Sequence, residues 1–430
     1  MEGGEMSKKK AQAQNCWRTA KLKVIALVGA GNPAPQGIKF FEGGTYPFIR
    51  TQDVGRLHIH PALSETTDYV NDLAVETKRL KLWPEKSLLI PKSGASTFLN
   101  HRVLTAIPAY VASHLAVVVA SDQVLPEYLY FWSLTVDSRR IAPDNDYPSL
   151  RLSDLKEVEL SVPPLPVQER IVQILQKADE IYRKRQEAMT LAELTIQAIF
   201  IDMFGDPIQN PKGFPVISLG EVISEGPQNG LYKPQDAYGS GVRIVRTKNY
   251  YAGALTSVDD FSRLECTLDE ISKYRLNPGD IVVNRVNSVK YVGKCALIPR
   301  VTEDVVFESN TMRFRVDPSK VFAEYVIAFL CSRSCRNQIE EIGARRRAVN
   351  MVSINQQNVK GLRLPLAPTD LQRKFIDSIQ QYTTVVSNLM TGLEESTKLF
   401  DGLLVRSFTG ELTAEWEGAN ADWITAQVQL

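Results

Sequence analysis

Apolar residues along this chain follow two different patterns. Two long stretches carry them at alternating steps of three and four. The remainder is short apolar runs broken by Gly, Pro and Asn. In the first stretch the stripe is Ile171, Leu175, Ala178, Tyr182, Met189, Ala192, Ile196, Ile199 and Met203. In the second it is Phe375, Ile379, Tyr382, Val386, Leu389, Leu393, Ser396, Phe400 and Leu403. Steps averaging 3.5 mark the seam of a long helix that packs along another helix. Prolines stand before each stretch: Pro163, Pro164 and Pro166, then Pro365 and Pro368. Proline disfavours helix in the residue before it, so an extended approach gives way to helix there. Gly205 and Gly410 supply the stops. Arg185 puts a charge on the first seam, and Gly392 and Gly402 weaken the second helix by roughly 1 kcal/mol each relative to Ala. Neither helix is stable alone in water, because burial of the apolar face supplies most of its stability. The two are therefore expected to pair antiparallel.

The segments before each helix repeat as well. Tyr46–Val54 reads YPFIRTQDV and Val242–Tyr250 reads VRIVRTKNY, sharing Arg50-Thr51 and Arg246-Thr247. RLKLWPEKSLLI (79–90) matches YRLNPGDIVV (274–283), each a turn with Pro84 or Pro278 feeding an apolar strand. LPEYLYFWSL (125–134) matches FAEYVIAFLC (322–331), two short segments that read as amphipathic helices. The chain is thus a tandem duplication of an α+β (mixed α/β) domain followed by a long helix. The start, Met1 to Ala20, is Lys- and Gln-rich (Lys8, Lys9 and Lys10) and reads as a mobile arm. The expected segments are that arm (1–16), a first domain (17–162), a helix (163–207), a second domain (208–364), a second helix (365–410) and a tail (411–430). Strand signals dominate inside each domain.

Composition narrows the class. The chain has 430 residues, 44% hydrophobic and 23% charged, in the range of an ordinary globular protein of two or three domains. No apolar run reaches the ~18 residues of a membrane span, and no signal peptide opens it. Five cysteines without framework spacing fit a reducing cytoplasm. The net charge of +1 announces no polyanion, but local charge does. No acid lies between Lys86 and Ser121, between Asn284 and Thr302, or between Ile342 and Thr369, whereas each stretch carries bases. Three one-signed stretches at corresponding places of a repeat favour a polyanion partner over solvated loops.

Catalytic signatures are missing. Gly293-Lys294 lacks the first glycine of a phosphate loop, since Ser288 stands there. Asn32-Pro33-Ala34-Pro35 lacks the aromatic with which amino-methyltransferases stack a flipped base, and reads as a turn. His58-x-His60 is too sparse for a metal, and Cys331 with Cys335, one turn apart, fits the core face of a helix better. Four histidines leave little acid–base machinery.

LSVPPLPVQERIVQILQKAD and IFIDMFGDPIQNPKGFPVISLGEV, within 160–222, strongly resemble the central region of type I restriction–modification specificity subunits. LRLPLAP, LQRKFI and RSFTGELT (406–413) resemble their distal region. Gly43–Arg50 and Leu276–Ile281 fit the target recognition domains of that family, although Pro84-Glu85-Lys86 departs from the Pro-Gly-Asp of the second half. The resemblance implies two target recognition domains joined by two long antiparallel coiled-coil helices. It implies a non-catalytic subunit that reads double-stranded DNA, one half of a split, asymmetric target per domain, with the helices setting the distance. Two modification subunits carrying S-adenosylmethionine and restriction subunits using ATP and Mg are the implied partners, and no cofactor is expected in this chain.

Base edges are read best by Arg, Asn and Gln, and phosphates by any base. The candidate contacts are Lys92, Ser93, His101 and Arg102 in the first domain. In the second they are Arg246, Lys248, Asn249, Arg285, Asn287, Lys290, Tyr291, Lys294, Arg345, Arg346 and Arg347. Two alternatives stand beside this reading. One is the specificity subunit of a combined restriction-and-modification enzyme. The other is a coiled-coil adaptor that binds proteins only, which predicts no salt-dependent DNA binding by the chain with its partners.

Overall fold

The structure, a computed structural model, describes residues 17–57, 62–141, 149–287, 291–345 and 352–428. The arm 1–16, His58 and His60 lie outside the described residues. The chain divides into two compact units, Met1–Arg183 with Ser396–Leu430, and Lys184–Glu395.

The strands of the first unit are β1 (Arg18–Lys21), β2 (Ala26–Ala30), β3 (Tyr46–Ile49), β4 (Ala62–Leu63), β5 (Asp68–Val70), β6 (Leu82–Trp83), β7 (Leu88–Pro91), β8 (Val103–Thr105), β9 (Ala109–Val111), β10 (Leu115–Ala120) and β11 (Glu159–Val162). They form sheets of order β2-β10-β7-β8-β4 and β5-β3-β9-β6, and β1 pairs with β11. The residues from Arg18 to Ala20 are therefore strand, not arm.

The second unit holds β12 (Val216–Ser218), β13 (Ile223–Asn229), β14 (Tyr238–Val245), β15 (Tyr250–Tyr251), β16 (Ala254–Leu255), β17 (Ser262–Leu264), β18 (Ile281–Asn284), β19 (Val286–Asn287), β20 (Cys295–Leu297), β21 (Val305–Phe307), β22 (Thr311–Val316), β23 (Val352–Ser353) and β24 (Arg363–Pro365). Its main sheets run β13-β22-β18-β20 and β17-β14-β21, and β12 pairs with β24. The orders correspond over four strands of the larger sheet and three of the smaller, and the first unit adds β4 to one and β6 to the other. In both, one strand pair of the smaller sheet is parallel, β3 with β9 and β14 with β21.

The central strands read as unbroken apolar runs because both their faces are covered. Leu88 and Ile90 of β7 point into one core and Leu89 into another. Ile281 and Val283 of β18 do the same against Val282.

Six helices carry or frame the candidate residues: α1 (Pro126–Thr135), α2 (Ser138–Ile141), α3 (Leu165–Phe204), α4 (Ala323–Cys331), α5 (Arg333–Arg345) and α6 (Thr369–Phe408). The long helices α3 and α6 are 40 residues each. They pack antiparallel within each unit. In the first, Val167, Ile171 and Leu175 share a core with Phe400, Leu403 and Leu404. In the second, Phe200 and Phe204 meet Phe375 edge-on. None of the seam positions named from the sequence is exposed. The two weak points of the seams answer each other: Arg185 donates to the carbonyl of Gly392, and its guanidinium lies where a Cβ at 392 would crowd it. Pro166 sits inside the first turn of α3, where its missing N–H costs nothing.

Three expectations need correcting. The helices α1 and α4 are not amphipathic. Tyr128 to Ser133 are all buried, because α1 lies between a sheet and α3. Cys331 and Cys335 are on separate helices, since the chain turns at Ser332. Pro84 does not align with Pro278. The left-handed residue of the turn is Lys86 (φ 59) in one unit and Gly279 (φ 85) in the other, which sets Pro84 against Asn277.

Candidate nucleic-acid interface

The loop leaving the central strand is built identically in both units. The Lys92 N–H donates to His114 O at 2.9 Å, and Lys92 O accepts from Leu150 N at 2.9 Å. The Arg285 N–H donates to Asn310 O at 2.8 Å, and Arg285 O accepts from Ile354 N at 2.8 Å. A basic residue thus occupies one backbone position twice. The next residues pair as well, Ser93 with Ser149 and Val286 with Ser353. Each loop is therefore a two-segment platform, with its second segment arriving from the helix that comes after α1 or α4. The Arg285 guanidinium donates to Ser309 O at 3.2 Å, and its buried Nε has no hydrogen-bond partner among the described residues.

The other candidates fall into three groups. Lys248 is exposed, and Lys92, Ser93, His101, Arg246 and Tyr291 are half-buried. Arg246 is shared with Glu308 at 3.1 Å and lies over the Tyr238 ring. Lys294 stacks its ammonium over Tyr251 and Tyr291, 4.6 and 4.3 Å from the ring centroids. It also lines a cavity of about 360 Å³ together with Glu193, Cys331 and Arg336. Burial raises the Glu193 carboxyl to about 7 despite the pull of Arg336 and Lys294. The whole of Lys290, Arg346 and Arg347, and the side chains of Asn287 and Arg345, lie outside the described residues.

Two candidates are corrected by their surroundings. Arg102 is 2% exposed. Its guanidinium donates to His101 O at 2.9 Å, Ser138 Oγ at 3.0 Å and Val136 O at 3.3 Å. Burial lowers its pKa to about 10, so it remains charged at neutral pH. Asn249 is 1% exposed; it accepts from Arg246 N at 3.0 Å and donates to Thr256 Oγ1 at 3.4 Å. Asp53 holds the same place in the first unit, accepting from Arg50 N at 2.8 Å. Both side chains hold loops in place and present no edge to solvent. The pairing of Arg50-Thr51 with Arg246-Thr247 already carried that signal: the matched residue two positions on is Asp in one copy and Asn in the other.

The charge runs in the sequence miss Arg139 and Arg140, because Asp137 and the acids Asp144 and Asp146 interrupt them. Both arginines are exposed on α2, and Arg139 stacks over Phe98 at 5.5 Å. Among the described residues no cluster of His, Cys, Asp and Glu could hold a metal, and no helix is long and apolar enough to cross a membrane.

Residues 15–191 match the type I restriction modification DNA specificity domain. The type I restriction enzyme EcoKI specificity subunit of Escherichia coli K12 is 26% identical over 220 residues, 50% of this chain and 46% of that protein. The chain thus spans about half the length of that relative. The MjaIX specificity subunit of Methanocaldococcus jannaschii is 21% identical over 427 residues, 93% of this chain and 94% of that one. Among solved structures, the type I restriction–modification S subunit from M. genitalium superposes with a TM-score of 0.51 at 12% identity, covering 91% of this chain and 96% of that one. At that identity the likeness speaks for the fold.

Proposed function

From its likeness to the specificity subunits of type I restriction–modification systems, we propose that this chain is one of them and reads DNA through two loop clusters, one in each recognition domain. Specificity subunits are the non-catalytic members of their complexes. The recognition domains are residues 17–162 and 208–364, and the helices of 163–207 and 365–410 scaffold the partners. Two modification subunits bring S-adenosylmethionine, and restriction subunits bring ATP and Mg. The complex works in the cytoplasm.

The observation that supports this most is the doubled platform with Lys92 and Arg285 at one backbone position. An adaptor that binds only proteins gives no reason for a base at that point in both copies. A DNA reader does, since phosphate contacts fix register before base edges are read. The contacts are Lys92, Ser93 and His101 in one domain, with Arg246, Lys248, Arg285, Asn287, Lys290, Tyr291 and Arg345 to Arg347 in the other. Arg102 and Asn249 serve the fold instead. Lys294, held over two rings, braces its loop.

Mapping methylated adenines across the genome, with and without this chain, is the test. A split motif is expected to vanish on deletion and return on complementation. Persistence of every motif overturns the proposal.

A further inference from the structure

Arg102 spends a buried charge on joining two segments of the first unit. Its guanidinium reaches from the 95–102 loop to Ser138 Oγ and Val136 O, at the start of α2. Asn100, left-handed at φ 53, works beside it. Asn100 Oδ1 accepts from Ser138 N at 3.0 Å, and its Nδ2 donates to Asp137 Oδ1 at 3.2 Å. The Asp137 carboxylate is further occupied by the Arg139 N–H at 3.0 Å. A desolvated guanidinium is costly, and the buried Nε of Arg102 has no partner among the described residues. The bonds it does make, to Ser138 and Val136, are what offset that cost and tie the two segments together.

What those segments present is charge. Arg139 and Arg140 are exposed on α2, the helix whose start Arg102 and Asn100 tie to the 95–102 loop. Neither forms an ion pair among the described residues. Arg139 is pre-ordered by its stack on Phe98, which lowers the entropy lost when it takes a partner. Two exposed guanidiniums on adjacent residues of a braced helix suit the forked, bidentate geometry of phosphate.

We propose that Arg139 and Arg140, braced by the buried Arg102, form a phosphate-contact surface of the first recognition domain. The inference rests on the DNA-reading function and adds two residues to it. Phosphate contact is independent of sequence, so a mixed-sequence duplex is a sufficient probe. Binding of the full chain to that duplex is measured across a salt titration.

In R139A/R140A the log–log slope should fall by about 1.8, since each neutralised phosphate contributes ~0.9. Affinity at moderate salt should drop on the order of tenfold, with the melting temperature unchanged. Lysine at both positions should restore the slope. R102L should lose the same slope, and adding it to R139A/R140A should take away no more, because a brace acts only through what it holds. Salt-dependent binding by the wild-type chain with an unaltered slope in R139A/R140A overturns the inference and leaves the function standing. A wild-type chain with no salt-dependent binding sinks both.

Discussion

The two units share a frame and differ in charge. Each closes the turn before its central strand with the side chain three residues into it. In the first unit Ser87 Oγ donates to Pro84 O at 2.7 Å. In the second Asp280 accepts from Asn277 N at 2.7 Å. Asp280 is completely buried and is reached by Arg315 at 2.8 Å and Arg313 at 3.6 Å. One turn is closed by a neutral hydroxyl; the other is closed by a buried carboxylate that two arginines reach. Backbone demands recur between the copies, while the groups that meet them change. At Gly31 and at Gly230 a Cβ would strike a carbonyl, of Val111 and of Glu308 respectively, so both copies use glycine. Asp53 and Asn249 both accept the N–H three residues back, but Asp53 also accepts from Thr66 and Thr67, whereas Asn249 donates to Thr256.

The sharpest test of that contrast is Asp280→Ala. It removes the buried carboxylate that both arginines reach, although Arg313 keeps Glu225 at 2.6 Å and Arg315 is partly solvated, and should cost about 3 kcal/mol. Ser87→Ala removes one neutral bond and should cost about 1 kcal/mol. Hydrogen exchange of β18 and β7 reads the two units separately. Equal losses would mean the ionic network contributes nothing beyond a turn.

Next comes a pair that should behave alike. Gln168, on α3, accepts from Leu125 N at 2.9 Å and donates to Pro163 O at 2.8 Å. Gln372, on α6, accepts from Phe322 N at 2.9 Å and donates to Ala367 O at 2.7 Å. Each docks the N-terminus of α1 or α4 onto a long helix from a fully buried site. Replacing either by Ala leaves buried groups unpaired and should cost about 2 kcal/mol. Exchange protection of α1 and α4 should fall by similar amounts. A large inequality would break the equivalence of the copies.

Much of this was legible in the sequence because it rests on period and on backbone chemistry. A seam of threes and fours names a long helix wherever it occurs, and the prolines and glycines at its ends place it. The duplication showed through Arg50-Thr51 and Arg246-Thr247. The errors came where tertiary context decides. Nothing local distinguishes Arg102, buried among carbonyls, from an arginine in solvent. Charge runs found Lys92 and Arg285 but passed over Arg139, since a linear scan cannot see that Asp137 is occupied by Asn100 and a backbone N–H. The turn at Lys86 misled because proline draws the eye, whereas the left-handed residue fixes the register.

Glu193 separates the copies through pH. The helices align at Gln168 and Gln372, so the counterpart of Glu193 is Thr397, which is exposed. Glu193 instead faces the cavity, with Arg336, Lys294, Tyr251, Glu324 and Arg333 around it. Burial lifts it from 4.5 to about 7 in the folded chain. A raised carboxyl favours the protonated fold. Its stabilisation is complete below the unfolded value of 4.5 and is lost as pH rises through about 7. With part of the group in solvent, the loss is about 1–2 kcal/mol. Glu193→Gln should flatten the second unit's stability between those values and leave the first unit unchanged. An undiminished pH slope in the variant would place the titration elsewhere.

The smallest effect is expected at the turn itself. Lys86 holds φ 59 and Gly279 holds φ 85 at the same point of the two turns. A left-handed conformation costs a side chain roughly 1 kcal/mol, and costs glycine nothing sterically. Gly279→Ala should therefore destabilise the second unit by about 1 kcal/mol. Lys86→Gly relieves the strain, but frees the unfolded chain and removes the ion pair from Lys86 Nζ to Glu127 at 3.0 Å. That pair is largely exposed and adds only a few tenths of a kcal/mol. Relief and entropy then nearly cancel, and Lys86→Gly should shift stability by no more than about 0.5 kcal/mol in either direction. The two substitutions run in opposite chemical directions at equivalent positions, so their effects should differ in size. Equal losses from both would show that Lys86 contributes through its side chain, and that the two turns are held by different means despite their shared backbone.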